Sequence, residues 1–390
     1  MLVAVSAINP LALNILMPSM PGLVRIFDTD YSTVQLTLTL FLASIALAQL
    51  IIGPLSDRFG RRPVVLIGTG VFLVASVACI FSTSIEMLII GRIFQAFGGC
   101  TGMVMGRAII RDMHGLDKSA SMMGYVTMAM VVVPMMAPSM GGYLDGKYGW
   151  QSSFILVFVY AAVALPFAYF LIGETHKGPF RAENPLRMLI GYGSLLKKIQ
   201  FVRPALQISF STAAFFAFLG GAPYVTIDLL GGTPVQYGLH FMIASMCYML
   251  GNFITGRMSE KWGAERLVGI GLFFAMSGGV WLLVNYYAFG LSVFTLFCGM
   301  GFIALGNGLT LPSGTAAAIS ADATRVGAAA GMSGSMQLGA GAIASFLSGW
   351  FLTGSSSALP LVIIMTVCSV LAIVAQVGGG LLSKQDGKPN

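Results

Sequence analysis

Long, unbroken apolar runs separated by short polar segments dominate this sequence. A half-exposed strand would alternate apolar and polar residues with a period of two, whereas these runs continue for twenty residues or more. A helix needs roughly 20 apolar residues to cross the ~30 Å hydrocarbon layer, and in lipid its backbone groups are all satisfied within the segment. The pattern therefore predicts an all-α integral membrane protein rather than a barrel. Twelve runs fit, at 2–24, 32–55, 63–83, 86–111, 120–143, 151–172, 203–226, 236–257, 266–288, 289–312, 326–353 and 357–382. The first begins almost at Met1. It lacks a charged leading region and a small-residue cleavage site, and eleven more runs follow, so it reads as a membrane helix rather than a secretion signal.

Hydrophobic residues make up 56% of the chain and charged residues 9%, too little charge to cover a surface in water. The lipid bilayer is thus the first partner. A net charge of +7 would suggest nucleic acid in a soluble chain, but its distribution argues for no nucleic-acid partner. With the N-terminus inside, all of the Lys and Arg except Arg25, Lys147 and Arg92 fall in or beside cytoplasmic segments. That asymmetry orients the chain with both termini in the cytoplasm. The five cysteines lie inside apolar runs without metal-ligand spacing and read as small apolar residues. No glycine-rich phosphate loop with a following Lys-Ser/Thr occurs, and the three histidines are scattered. The expectation is no enzyme, no metal and no cofactor, and transport not driven by ATP within this chain.

One long polar segment, 173–204, separates six runs from six. The domain reading is an N-terminal six-helix half at 1–172, a cytoplasmic linker at 173–203 and a C-terminal six-helix half at 204–390. Within the linker, "NPLRMLIGYGSLLKKI" (184–199) has the character of an amphipathic helix on the inner membrane surface. The halves also echo each other. "GPLSDRFGRRP" (53–63) follows the second run and "GRMSEKWGAER" (256–266) the eighth, at a constant offset of 203 residues. Gly53, Ser56, Asp57, Arg58, Phe59 and Gly60 meet Gly256, Ser259, Glu260, Lys261, Trp262 and Gly263. The recurrence indicates duplication. Two parallel six-helix repeats describe a transporter that rocks around a central site.

"GPLSDRFGRRP" resembles the signature loop of the major facilitator superfamily. Gly53 and Gly60 would permit a tight turn and close helix approach, and Asp57 could pair with Arg58, Arg61 or an adjacent helix N-terminus. The resemblance implies a conformational latch formed by Gly53, Asp57, Arg58, Gly60 and Arg61, with Glu260 in the second copy. "RIFQAFGG" (92–99) is similar to the family's Arg-x-x-Gln-Gly-x-Gly pattern, with Ala96 for the first glycine. A buried arginine is costly in hydrocarbon. Arg92 is then either part of a proton-coupling network, as the family implies, or a hydrogen-bond anchor to carbonyls of neighbouring helices. "PMMAPSMGG" (134–142) resembles the antiporter motif of drug exporters. Pro134 and Pro138 would bend the helix, and Gly141 and Gly142 would admit a close neighbour. Together with "LMPSMP" (16–21), "FLGGAPYVTIDLLG" (218–231), "GNGLTLPSGTAAAI" (306–319) and "GAAAGMSGSMQ" (327–337), these stretches are similar to the bicyclomycin/chloramphenicol-resistance type of drug:proton antiporter. The resemblance implies twelve transmembrane helices in two pseudo-symmetric halves. It also implies a monomer of the bacterial inner membrane that exports small apolar or amphiphilic drugs in exchange for protons.

Candidates for lining a central cavity in the N-terminal half are Asn14, Met17, Gln35, Phe41, Gln95 and Met103. Those in the C-terminal half are Phe215, Phe216, Tyr224, Met249, Asn307 and Gln337. With 24 methionines and 27 phenylalanines, the chain has the adaptable apolar surfaces that suit varied small-molecule substrates. Proton exchange requires a group that titrates. In the resembled subfamily, the first helix usually presents an aspartate where this chain has Asn14, and asparagine only donates and accepts hydrogen bonds. Of the remaining acids, Asp228 is the one placed to reach a cavity; His240 is a weaker candidate. The missing acid leaves open a proton-independent facilitator or importer of a small polar metabolite. A receptor that has lost transport is argued against by the two latch copies.

Overall fold

The computed structural model describes residues 1–113, 133, 136–175, 193–321 and 326–386, and every regular element among them is helical. In the first half, α1 spans Leu2–Ile15, α2 Met20–Ile26, α3 Tyr31–Phe59, α4 Arg61–Ile80, α5 Ile85–Met113, α6 136–148 and α7 Gln151–Leu171. In the second, α8 spans Ile199–Tyr224, α9 Pro234–Trp262, α10 Ala264–Val284, α11 Val293–Ser320, α12 Val326–Leu352 and α13 Leu359–Asp386.

Ten helices among the described residues are long and apolar enough to cross a membrane, α1 and α2 counting as one span. Helix α12, of 27 residues, is richer in glycine and serine and is not among the ten. Helix α6 is the described end of the fifth apolar run. The rest of that run, with Pro134, lies outside the described residues, as does most of the amphipathic stretch 184–199.

Local chemistry sets the element ends. Pro18 and Pro21 cannot continue a straight helix, so the first span breaks through a 3-10 turn at Met17–Ser19 before α2 begins. Asp30 caps α3, accepting from the Thr33 amide at 2.8 Å and the Thr33 hydroxyl at 3.0 Å. The Ser32 hydroxyl and the Thr33 amide hold its carboxyl below the usual aspartate range. Ser292 and Thr295 form a reciprocal capping box at the start of α11.

The duplication is visible in the backbone. Helices α3 and α9 have 29 residues each and end on a left-handed glycine, Gly60 at φ +94° and Gly263 at φ +78°. The Gly60 amide donates to the Ser56 carbonyl at 2.9 Å, and the Gly263 amide to the Ser259 carbonyl at 3.0 Å. Gly53 departs from expectation. It lies inside the continuous helix α3, and a Cβ there meets nothing within 4 Å among the described residues, so the turn is made by Gly60 alone.

The chain divides into two compact units, Met1–Glu183 with Gly232–Leu239, and Asn184–Gly231 with His240–Asn390. In the first, α5 packs against α1, α3 and α4, and α7 against α1 and α4. A Cβ on Gly98 of α5 would lie 2.6 Å from the Phe72 amide nitrogen of α4, so those backbones touch. In the second, α8 packs against α11, α12 and α13, and α10 against α11 and α13.

Candidate functional site

In the first unit, the site is organised by Arg92, a cation 1% exposed inside an apolar bundle. Because α1 stops at Ile15, the carbonyls of its last turn lack intrahelical partners. Arg92 Nη1 donates to one of them, Ala12 O, at 2.9 Å, placing positive charge at the negative end of the helix. The same nitrogen donates to Gln95 Oε1 at 2.6 Å; Gln95 Nε2 donates to Ser76 Oγ at 2.8 Å, and Ser76 to the Phe72 carbonyl at 2.7 Å. The guanidinium lies 3.9 Å above the Phe41 ring and 5.9 Å from that of Phe154. Its Nε and Nη2 have no hydrogen-bond partner among the described residues. Asn14 is buried with Nδ2 turned back onto the Pro10 carbonyl at 2.9 Å, and its Oδ1 has no hydrogen-bond partner among the described residues. Arg92, Gln95 and Phe41 are therefore brought together, with Phe41 serving as the surface on which the guanidinium rests. Met17 and Gln35 are buried and Met103 half-buried in the same unit.

The loop between α3 and α4 is tied down by a residue that sequence reasoning missed. Two arginines at the start of α4 add positive charge to the positive end of a helix, an unfavourable arrangement. Glu174, just beyond α7, supplies the carboxylate. It accepts from the Arg61 amide at 3.0 Å and the Arg62 amide at 3.2 Å. Arg61 is buried and donates to Ser56 Oγ, which in turn donates to Gly53 O at 2.6 Å. Arg62 donates to the Tyr169 carbonyl at 2.9 Å and stacks over the Tyr169 ring at 4.9 Å. Arg58 is exposed beside Phe59. The side chains of Asp57 and Glu260 lie outside the described residues. The second half solves the same problem within its own sequence: Glu265 stands in the first turn of α10, 3.6 Å from Arg203.

The "PMMAPSMGG" stretch is described from Met136 onward. A Cβ on Gly141 would collide with the Ile15 carbonyl at the end of α1, and one on Gly142 with the Pro234 carbonyl at the start of α9. Ser139 Oγ donates to Gly238 O at 2.8 Å, and a Cβ on Gly238 would lie 2.8 Å from the Pro138 carbonyl. Residues 232–239 belong to the first unit, so these are contacts within it. Asp145, beyond the apolar run, is half-buried, and burial pushes its carboxyl above the usual aspartate range.

The second unit holds an uncharged polar cluster. Asn307 Nδ2 donates to the Ser211 carbonyl at 3.0 Å, and Gln207 Nε2 to Ser211 Oγ at 3.0 Å. Gln337 accepts from Thr212 Oγ1 at 3.4 Å and donates to the Ser333 carbonyl at 3.3 Å. Gln207 escaped the sequence reading, although a glutamine four residues before Ser211 in an apolar run was a usable signal. Phe215 and Phe216 meet edge to face at 5.4 Å. Tyr224 is half-buried, whereas Met249 is 43% exposed. Asp228 is exposed in the π-helical turn Val225–Leu229 that ends α8. His240 lies 5.7 Å from Phe297.

Comparison with known proteins agrees with this architecture. Over 373 residues, the chain is 27% identical to a bicyclomycin resistance protein homolog of Haemophilus influenzae, covering 95% of this chain and 92% of the relative. It is 25% identical to multidrug resistance protein D of Escherichia coli, covering 100% and 97%. A bacterial homolog of the human lysosomal transporter Spinster, solved in an inward-facing, occupied conformation, shares the fold with a TM-score of 0.74. It is 15% identical, covering 98% of this chain and 95% of that one. The profile of the Major Facilitator Superfamily matches residues 2–229. That match covers more than half of the chain, which belongs to the Major Facilitator Superfamily of membrane transporters.

Proposed function

We propose that this protein exports small apolar or amphiphilic molecules across the bacterial inner membrane by alternating access, in exchange for protons. It works as a monomer with both termini in the cytoplasm. The observation that carries the export reading is the backbone contact of Gly141 and Gly142 with Ile15 and Pro234. A helix seated so closely over the end of α1 and the start of α9 can seal one side of a substrate path. The relatives named for bicyclomycin and multidrug resistance support the same reading. On the cytoplasmic side, the Gly60 turn, clamped by Glu174 and extended by Arg61, is the latch that must release when the halves rock. Arg92 keeps a fixed positive charge at the end of α1, and Asp228 is the acid that loses and regains the proton.

One observation favours a second reading, a proton-independent facilitator. Asn14 occupies the position of the helix-one acid and is engaged with Pro10, so nothing on α1 itself titrates near Arg92. Uptake of labelled chloramphenicol by energised everted membrane vesicles separates the two. Accumulation that collapses on addition of an uncoupler supports antiport; equilibration indifferent to the uncoupler supports the facilitator.

A further inference from the structure

We infer that the second unit contains a subsite for a neutral molecule carrying hydroxyl or amide N–H donors, formed by Gln207 and Asn307 around Ser211. The inference rests on the export reading only for there being a substrate; the site itself is argued from its acceptors. Gln207 and Asn307 are both buried, on α8 and α11. The Ser211 carbonyl can only accept, which fixes the Asn307 amide with Nδ2 toward it and Oδ1 away. Gln207 turns its own Nε2 to the Ser211 hydroxyl. Both donor ends are thus used on one serine. Both acceptor ends, Gln207 Oε1 and Asn307 Oδ1, have no hydrogen-bond partner among the described residues. Buried polar groups are nearly always paired, and these two, like Asn14 Oδ1 in the first unit, are not paired among the described residues.

Gln207 Oε1 lies against a second residue of α11, where the two helices pack closely. A Cβ on Gly314 would meet Ile208 Cγ2 and lie 2.8 Å from Gln207 Oε1. Gly314 follows Asn307 by seven residues, two helical turns, and shares its face. The cluster contains no charged side chain, so it offers nothing to an ion that must be neutralised. A monovalent cation would need more oxygens than the two left open, since the Ser211 oxygens already accept hydrogen bonds. A ligand bringing donors completes both acceptors, and one without donors leaves them unmet. The subsite therefore selects for hydroxyl- or amide-bearing molecules within an otherwise apolar class.

Calorimetry on the purified full chain in detergent tests this with two probes, chloramphenicol and its O,O,N-trimethyl derivative, in which both hydroxyls and the amide N–H are masked. Wild-type protein is expected to bind chloramphenicol about tenfold tighter than the methylated probe, equivalent to about 1.4 kcal/mol. Gln207→Met and Asn307→Leu should each lower that ratio severalfold, and the double variant should bring it to about one. A purely structural role would weaken both probes together and leave the ratio intact, which overturns the inference. So does a wild type that binds neither probe or shows no preference, or variants that keep it. Chloramphenicol binding that requires sodium and loses that requirement in the variants would make this a cation site instead. If Asn307→Leu does not fold, Gln207→Met, unbranched and of equal length, carries the test. Because binding is read without transport, failure of uncoupler-sensitive transport would refute the export reading and leave this result standing.

Discussion

Replacing Arg92 by Met decides between the two roles open to that residue, and the energies can be set against one another. Arg92 makes two charge-assisted hydrogen bonds, to Ala12 O at 2.9 Å and Gln95 Oε1 at 2.6 Å, each of a kind that contributes about 1.5–3 kcal/mol. Its contact with Phe41 at 3.9 Å adds about 2 kcal/mol in a desolvated setting. Against these stands the burial of a full charge with no carboxylate partner among the described residues, which costs several kcal/mol. The terms nearly cancel. Met fills the stem volume and removes the burial cost but leaves Ala12 O and Gln95 Oε1 without a donor, at about 1–3 kcal/mol each. Adding Gln95→Leu removes one of those orphans. The double variant Arg92→Met/Gln95→Leu should therefore unfold within about 2 kcal/mol of wild type, a shift of no more than ~8 °C for a half of this size. Its energised transport should nonetheless be lost. Thermal unfolding in detergent and vesicle uptake measure the two quantities on the same preparation. A fall in melting temperature well beyond that range, with transport retained per folded molecule, would show that Arg92 is a hydrogen-bond anchor and refute the coupling role.

The turn glycines should differ although their backbones match. Gly263→Ala meets only the strain of a left-handed residue, about 1–2 kcal/mol. Gly60→Ala adds a Cβ 3.0 Å from Glu174 Cδ and disturbs the bonds to the Arg61 and Arg62 amides, so its loss should reach about 2–4 kcal/mol; equal losses in thermal unfolding would refute the clamp. Burial raises the Asp145 carboxyl, so ionisation opposes folding and the cost is present above its folded pKa. Asp145→Asn should accordingly raise the melting temperature at neutral pH, with the gain disappearing as pH falls through that pKa toward the usual aspartate value. Asn14→Asp gives up the hydrogen bond to Pro10 O and gains a titrating group; initial uptake rates should become more steeply pH-dependent than in wild type, and an unchanged profile would place the proton path away from α1.

The helices and the duplication were readable because they depend on neighbours in the chain. Apolar run length marks the spans, the prolines at 18 and 21 mark the break after α1, and the pair Gly60 and Gly263 marks two equivalent turns. What escaped depends on contacts across the chain. Glu174 lies more than a hundred residues from the amides it caps, and nothing in "GETHKG" announces that partner. Its place in the motif suggests a turn at Gly53, but a helix can continue through a glycine, and α3 does. An aromatic residue such as Phe41 suggests a ligand contact from sequence, and only the fold shows Arg92 resting 3.9 Å above its ring. Gln207 and Asn307 both bond to Ser211, a convergence that only the fold shows, because α8 and α11 meet there.

Whether substrate movement is coupled to protons is measured most directly with purified protein in proteoliposomes enclosing a pH-sensitive dye. Chloramphenicol added on the side from which it is carried should drive protons in the opposite direction, and Asp228→Asn should abolish that proton movement while the protein still binds chloramphenicol. Labelled chloramphenicol crossing the membrane with no accompanying change in dye signal would contradict antiport and leave a facilitator.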